Sequence, residues 1–381
     1  MRGGTGRVWP NPSGPRSEGR AWPLPAVADP YDAAVTEPAS QSHDSLEARF
    51  GAWLEQQVGG RVSLGPLVSP THGGLSNDTI LVEADWGDGA RRLVLRLAPG
   101  GTPLFPRYDL GLQISVLRAL GAHTDVPVPE VLWDQPDPEP LGRPFYVMAH
   151  VDGRIPPDNP GTHFDGWVKD LPATEQSALF DNSMAMFARI HRVDWRSAGL
   201  DLLDRPEHGD DPITQELGAW RAYLDWASDG ERLDLLEDAY DWCVANRPTG
   251  AIDRALVWGD ARLGNIIYDA ALAPRAVIDW EMAVLGPPEL DLGWYLFLER
   301  TALQFVEQLP GFPDRTGAVQ RYEHHLGRPM RDLEWYEAWG GMRAACIQVR
   351  LGRILFELGV IDDERYRQRN PVTKALRGLI G

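Results

Sequence analysis

The chain predicts an α+β protein in which a small antiparallel sheet is followed by a larger helical part. Three observations carry this expectation. Between residues 61 and 151, short runs of β-branched and aromatic residues are separated by Gly, Pro and Asp-Gly turn signals. From residue 174 onward, apolar residues recur at helical spacing over long stretches. The helices are interrupted once, by VWGDARLGNIIYD at 257–269, which reads as strand, turn and strand with polar residues at the turn.

Taken in order, residues 1–43 are rich in Gly, Pro, Ser and Arg without apolar periodicity and are expected to form a disordered tail. A first helix is expected where Leu46, Phe50, Leu54 and Val58 recur four residues apart, capped by Asp44 or Ser45 and ended by Gly59-Gly60. RVSLGPLVSP, THGGLSND and TILVEADWGDGARRLVLRLAP then read as three strands with a glycine-rich loop between the first two and an Asp88-Gly89 turn between the others. LGLQISVLRAL predicts a helix, PEVLWD an extended segment, and RPFYVMAHVDG an apolar strand stopped by Asp152-Gly153. The expected organisation is a first lobe over 44–150 and a helical second lobe over 151–381. That second lobe has helices within 174–195, 217–228, 232–247, 289–309 and 333–359.

Composition removes several function classes. A net charge of −18 lacks the basic face that phosphate neutralisation requires, which argues against nucleic-acid binding. No apolar run approaches the roughly 18 residues that span a bilayer, and the basic N-terminus lacks the apolar core of a secretory signal. A soluble cytoplasmic protein without membrane partners is the default expectation. The two cysteines, far apart and without a Cys or His partner at metal-ligand spacing, read as reduced thiols. The fifteen tryptophans fall mostly on helical faces and read as core.

The segment 257–294 carries the chemistry. A strand leads into Asp260, a turn reaches Asn265, and a further strand ends in Asp279. Phosphoryl transfer needs a carboxylate to orient an attacking hydroxyl and accept its proton, together with oxygen ligands for Mg²⁺. Asp260, Asn265 and Asp279 supply that set.

The motif GD-x-R-x-GN followed by DWE-x-A-x-LG resembles that of the aminoglycoside phosphotransferase family, which has a bilobal protein-kinase-like fold. It is most similar to the branch that includes actinobacterial stand-alone proteins and the phosphotransferase domains attached to acyl-CoA dehydrogenases. The resemblance covers about residues 44–360. It implies that Asp260 is the catalytic base, that Asn265 and Asp279 ligate Mg²⁺, and that Asp291 supports the catalytic segment through hydrogen bonds. It also implies that Arg262 contacts the γ-phosphate or an anionic substrate group, with Glu281 beside the metal aspartate.

Upstream, the resemblance places Ser76 and Asn77 in the loop that covers the nucleotide phosphates. It makes Arg96 the cation for those phosphates where kinases carry lysine. Gln113 then stands where the family has the glutamate partner of that cation, and Trp258 where a histidine often precedes the Gly-Asp pair. Met148 would back the base of the nucleotide, with backbone groups of Ala149 and Val151 bonding it. His191 reads as a packed residue at a helix end.

The expected function is transfer of the γ-phosphoryl group of ATP or GTP, with Mg²⁺, to a hydroxyl of a small molecule, aminoglycoside-like or a hydroxyacyl or other metabolite alcohol. A catalytically silent nucleotide-binding module is the alternative. A protein kinase is disfavoured by the short run MAVLGPPELDLGW, which leaves little room for an activation segment.

Overall fold

The computed structural model describes residues 40–70, 77–87, 89–157, 161–250 and 252–381, with the backbone only for 40–45. Helix α1 (Ser40–Val58) starts earlier than the Asp44 or Ser45 cap expected from the sequence. Those two side chains lie outside the described residues. Strands β1 (Ser63–Leu64), β2 (Asp78–Asp85), β3 (Ala90–Leu97), β4 (Val131–Gln135) and β5 (Phe145–Ala149) form one antiparallel sheet in the order β1-β2-β3-β5-β4.

Strand pleating decides what this sheet does. Side chains alternate between faces, so Ile80, Val82, Leu93, Leu95, Leu97, Phe145 and Val147 share one face and pack under Phe50, Trp53 and Leu54 of α1. The intervening residues Val94, Tyr146 and Met148 belong to the opposite face and pack with α2 (Leu110–His123). Arg96 lies on that second face, opposite Thr79 on β2 and Tyr146 on β5. Helix α2 starts where the Asp109 carboxylate accepts from the Leu112 N–H at 2.9 Å, filling one of the donors a helix start leaves open.

The rest of the chain is mostly helical: α3 (Ala173–His191), α4 (Pro212–Ser228), α5 (Asp234–Ala245), α6 (Glu289–Ala302), α7 (Arg315–Leu326), α8 (Leu333–Glu357) and α9 (Pro371–Ile380). Between α5 and α6 lie two short antiparallel pairs. β6 (Ala255–Val257) pairs with β9 (Val284–Gly286), and β7 (Ile266–Tyr268) pairs with β8 (Pro274–Val277). This nesting sets the β6–β7 turn beside the β8–β9 turn.

Helices α6 and α8 approach closely because glycines face each other. A Cβ on Gly293 would lie 2.5 Å from the Tyr336 backbone, and one on Gly341 would lie 2.5 Å from the Phe297 ring. The sequence WGGMR, costly in an isolated helix, is therefore a packing feature.

Among the described residues, no helix is long and apolar enough to cross a membrane. Cys243 and Cys346 are buried and free. Burial pushes the Cys243 thiol up to about 12 and the Cys346 thiol higher still. Native protein is therefore expected to leave both thiols unmodified by a disulfide-exchange reagent and to expose both after guanidinium denaturation. Rapid labelling of the native state would contradict this packing.

Candidate active site

The β6–β7 turn holds Gly259, Asp260, Arg262 and Asn265. Gly259 has φ +91, and a Cβ there would sit 2.0 Å from the Met282 carbonyl, so only glycine fits between the two turns. A 3₁₀ turn over Leu263–Asn265 folds the Asn265 side chain back onto Asp260, with Nδ2 donating to Oδ2 at 2.7 Å and to the backbone carbonyl at 3.1 Å. An ionised carboxylate only accepts, so the atom facing it is the NH₂ and Asn265 Oδ1 is left for another partner. Arg262 Nε donates to Asp260 Oδ2 at 2.9 Å, and Trp294 Nε1 donates to Oδ1 at 3.0 Å.

Asp279 lies two residues past the end of β8, in the left-handed region at φ +64, an uncommon state for a residue with a side chain. The two turns are stitched together. The Ile278 N–H donates to the Asn265 carbonyl at 3.0 Å, and Trp258 Nε1 donates to the carbonyls of Ile278 and Asp279, each at 3.0 Å. The tryptophan standing at the family's histidine position is thus fully buried and bridges the two turns.

Arg96 reaches this point from the sheet. Its Nη2 lies 3.1 Å from Asp279 Oδ1, and its Nη1 donates to Thr79 Oγ1 at 3.3 Å. Burial disfavours the guanidinium charge, yet Asp279, the Tyr146 phenol and Glu281 outweigh it, and the pKa rises. Gln113 sits in the same cleft but accepts from Tyr146 Oη at 3.4 Å. The residue in the place of the family glutamate therefore engages a tyrosine, and the arginine engages the aspartate of the other lobe.

Arg96, Asp279, Gln113 and Tyr146 line a cleft of about 210 Å³ that opens to solvent and continues past Met148, Ala149, His150 and Val151. The apolar remainder of its wall includes Leu81, Val94, Leu117, Ile267 and Ile278, the lining expected around a flat aromatic ligand. The Ala149 N–H is committed to the Glu130 carbonyl at 2.9 Å, so any bond from Ala149 to a ligand would be accepted by its carbonyl. Ser76 lies outside the described residues. Asn77 is described and buried, and its Nδ2 donates to Glu281 Oε2 at 3.1 Å, joining the start of β2 to the β8–β9 turn.

Asp291, named by the resemblance, is joined by contributors that have no signature in the sequence. Asp291, 1% exposed, accepts from the N–H groups of Trp258 and Gly259 at 2.7 Å each and contacts His191 Nε2 at 2.8 Å. His191 Nδ1 is 2.6 Å from Tyr322 Oη. The histidine read as simple packing is thus part of a buried chain from α3 and α7 to the β6–β7 turn. Arg343 of α8, also buried, donates from Nη2 to the Gly259 carbonyl at 2.8 Å. The His191–Asp291, His191–Tyr322 and Arg343–Gly259 pairs are separated by 84 to 131 positions, so no local spacing rule reveals them.

Residues 68–344 match the phosphotransferase enzyme family APH, and the chain belongs to that family. Among curated relatives, IBR3 of Arabidopsis thaliana, which carries an acyl-CoA dehydrogenase name, is 31% identical over 297 residues, covering 72% of this chain and 34% of its own. Acyl-CoA dehydrogenase family member 10 of Mus musculus is 31% identical over 269 residues, covering 68% and 24%. The chain therefore spans about a third or less of the length of these relatives.

Solved structures share the fold. A Ralstonia eutropha protein, provisionally assigned as an aminoglycoside phosphotransferase, superposes with TM-score 0.64 at 23% identity over 87% of this chain and 98% of its own. An aminoglycoside phosphotransferase APH(4)-Ia variant bound to AMP-PNP and hygromycin B gives 0.54 at 18% over 86% and 97%. A GDP and kanamycin complex of an APH(2'') enzyme gives 0.53 at 15% over 87% and 96%.

Proposed function

We propose that the protein is a Mg²⁺-dependent phosphotransferase that moves the γ-phosphoryl group of ATP or GTP to a hydroxyl of a small molecule. The observation that supports this reading most directly is that the turn holding Asp260 and Asn265 is stitched to the turn holding Asp279, which Arg96 of the sheet reaches within the interlobe cleft.

The donor set suits Mg²⁺. Among the described residues, no group of three or more His, Cys, Asp or Glu side chains would hold a metal by itself. The two hard oxygens of Asn265 Oδ1 and Asp279 are what Mg²⁺ takes when it keeps water and phosphate oxygens as its other ligands. Bound there, the metal would offset charge on the phosphates.

The chain's own residues would do the remainder. Met148 and the carbonyl of Ala149 with the N–H of Val151 would hold the base. Arg96 would turn from Asp279 toward the phosphates, bringing two donors where lysine brings a point charge. Asn77, held by Glu281, would keep the loop containing Ser76 over them. Asp260 would orient the acceptor hydroxyl and receive its proton, while Arg262 faces the developing charge on the transferred group.

The acceptor class is open to direct test. The acidic surface suits a polycation, as in the hygromycin B and kanamycin complexes of the structural neighbours. The acyl-CoA dehydrogenase names of the sequence relatives make a hydroxyacyl thioester or another metabolite alcohol the second class. The test is ATP and GTP hydrolysis with Mg²⁺ and with EDTA, followed by a phosphate-transfer screen over both classes. Turnover that EDTA abolishes is expected. Nucleotide binding without turnover on any acceptor would favour the silent module, which Gln113 in place of the family glutamate motivates.

A further inference from the structure

Helices α6 and α8 form a layer directly beneath the catalytic turn. Trp294 of α6, 4% exposed, aims its indole N–H at Asp260 Oδ1, 3.0 Å away. The Arg343 guanidinium of α8 lies 4.9 Å from the Trp294 ring and 5.2 Å from the Trp220 ring of α4. The same guanidinium bonds the carbonyl of Gly259, the residue before Asp260. It is a buried cation whose nearest carboxylate, Glu216, stands 3.9 Å away, and burial lowers its pKa despite Glu216, Asp291 and Asp260 nearby.

The layer reaches the turn because glycines allow it. A Cβ on Gly340 would lie 3.0 Å from the Trp294 Cα, and Gly293 and Gly341 make the other close approaches. The Gly259 peptide is thereby held on both sides, its N–H by Asp291 and its carbonyl by Arg343, while Trp294 fixes one carboxylate oxygen of the next residue. Asn265 and Arg262 take the other oxygen.

We infer that Trp294, stacked on Arg343, is a positioning residue that locks the Asp260 carboxylate in the orientation in which its remaining Oδ1 lone pair faces the acceptor hydroxyl. This rests on the phosphotransferase reading above. The carboxylate turns about a single bond, and a donor on one oxygen opposite the two on the other fixes the plane in which it rests. Trp294 is absent from the walls of the interlobe cleft, so its effect falls on the transfer step and not on nucleotide binding.

The variant that isolates the N–H is Trp294→Phe, which keeps a ring against Arg343. With MgATP and water as acceptor, kcat is expected to fall about ten- to a hundredfold, as for loss of one hydrogen bond to a charged group, with KM for ATP within about twofold. The second readout needs no activity. The Trp294 indole ¹H–¹⁵N resonance, assigned by its loss in Trp294→Phe, is expected to move in Asp260→Ala while indoles remote from the turn stay in place.

An unmoved indole resonance would overturn the inference by denying the contact. An active wild type with an unchanged kcat in Trp294→Phe would overturn it and leave the phosphotransferase reading standing. A shifted resonance with no MgATP turnover in the wild type would overturn both.

Discussion

Replacing Asp260 by alanine is expected to lower nucleotide turnover by about 10²–10⁴, the range a positioned general base contributes, without unfolding the protein. The side chain is 14% exposed and accepts from Trp294, Asn265 and Arg262, so its removal opens a small polar space that water can fill. Binding of ATP or GTP should survive, since Asp260 does not line the interlobe cleft. Steady-state kinetics combined with nucleotide titration checks both halves. Loss of binding together with turnover would mean that Asp260 holds the ligand and does not act on the acceptor.

The second large effect is on stability. Asp291→Ala removes the single acceptor for two backbone N–H groups and for His191, all buried. Leaving buried donors unpaired costs about 1–3 kcal/mol each. A loss of about 3 kcal/mol or more is expected in denaturant titration, with turnover lost as well because the backbone at Trp258 and Gly259 is no longer held. Asp291→Asn keeps the size but exchanges one acceptor oxygen for a donor. It should be destabilising too, since two N–H groups and a histidine converge on that carboxylate. Full stability in either variant would show that the turn is held from elsewhere.

The parts of the molecule legible in its sequence are those that local rules govern. Leu46, Phe50, Leu54 and Val58 place α1 on the sheet, while Arg96 is singled out by the family resemblance, alternation with Arg91 and Arg92 nearby leaving its face open until Leu95 and Leu97 are seen under α1. Spacing and turn chemistry alone single out Asp260, Asn265 and Asp279, and the nested pairing of β6 with β9 and β7 with β8 brings their turns together.

What escaped sequence reading was either short or non-local. Helix α7 buries only Ala318 and Tyr322 and so shows no apolar stripe, and β9 is too short for periodicity to register, whereas α9 does carry helical spacing in Val372, Ala375, Leu376 and Leu379 and was readable. Trp294, Arg343, His191 and Tyr322 act across the fold, and as types the three aromatic residues read equally well as core and the arginine as surface. The Gln113 position was anticipated as a departure from the family. The pairing of Arg96 with Asp279, across the lobes, was not, because it depends on how the two lobes face each other.

The most direct test of the central claim is single-turnover release of γ-phosphate from labelled ATP and GTP as Mg²⁺ is titrated, comparing wild type with Asp279→Asn. A phosphotransferase site built on Asp260, Asn265 and Asp279 predicts saturable Mg²⁺ dependence in the wild type and loss of turnover in the variant at the same metal concentrations. Equal, metal-independent release from both proteins would contradict it.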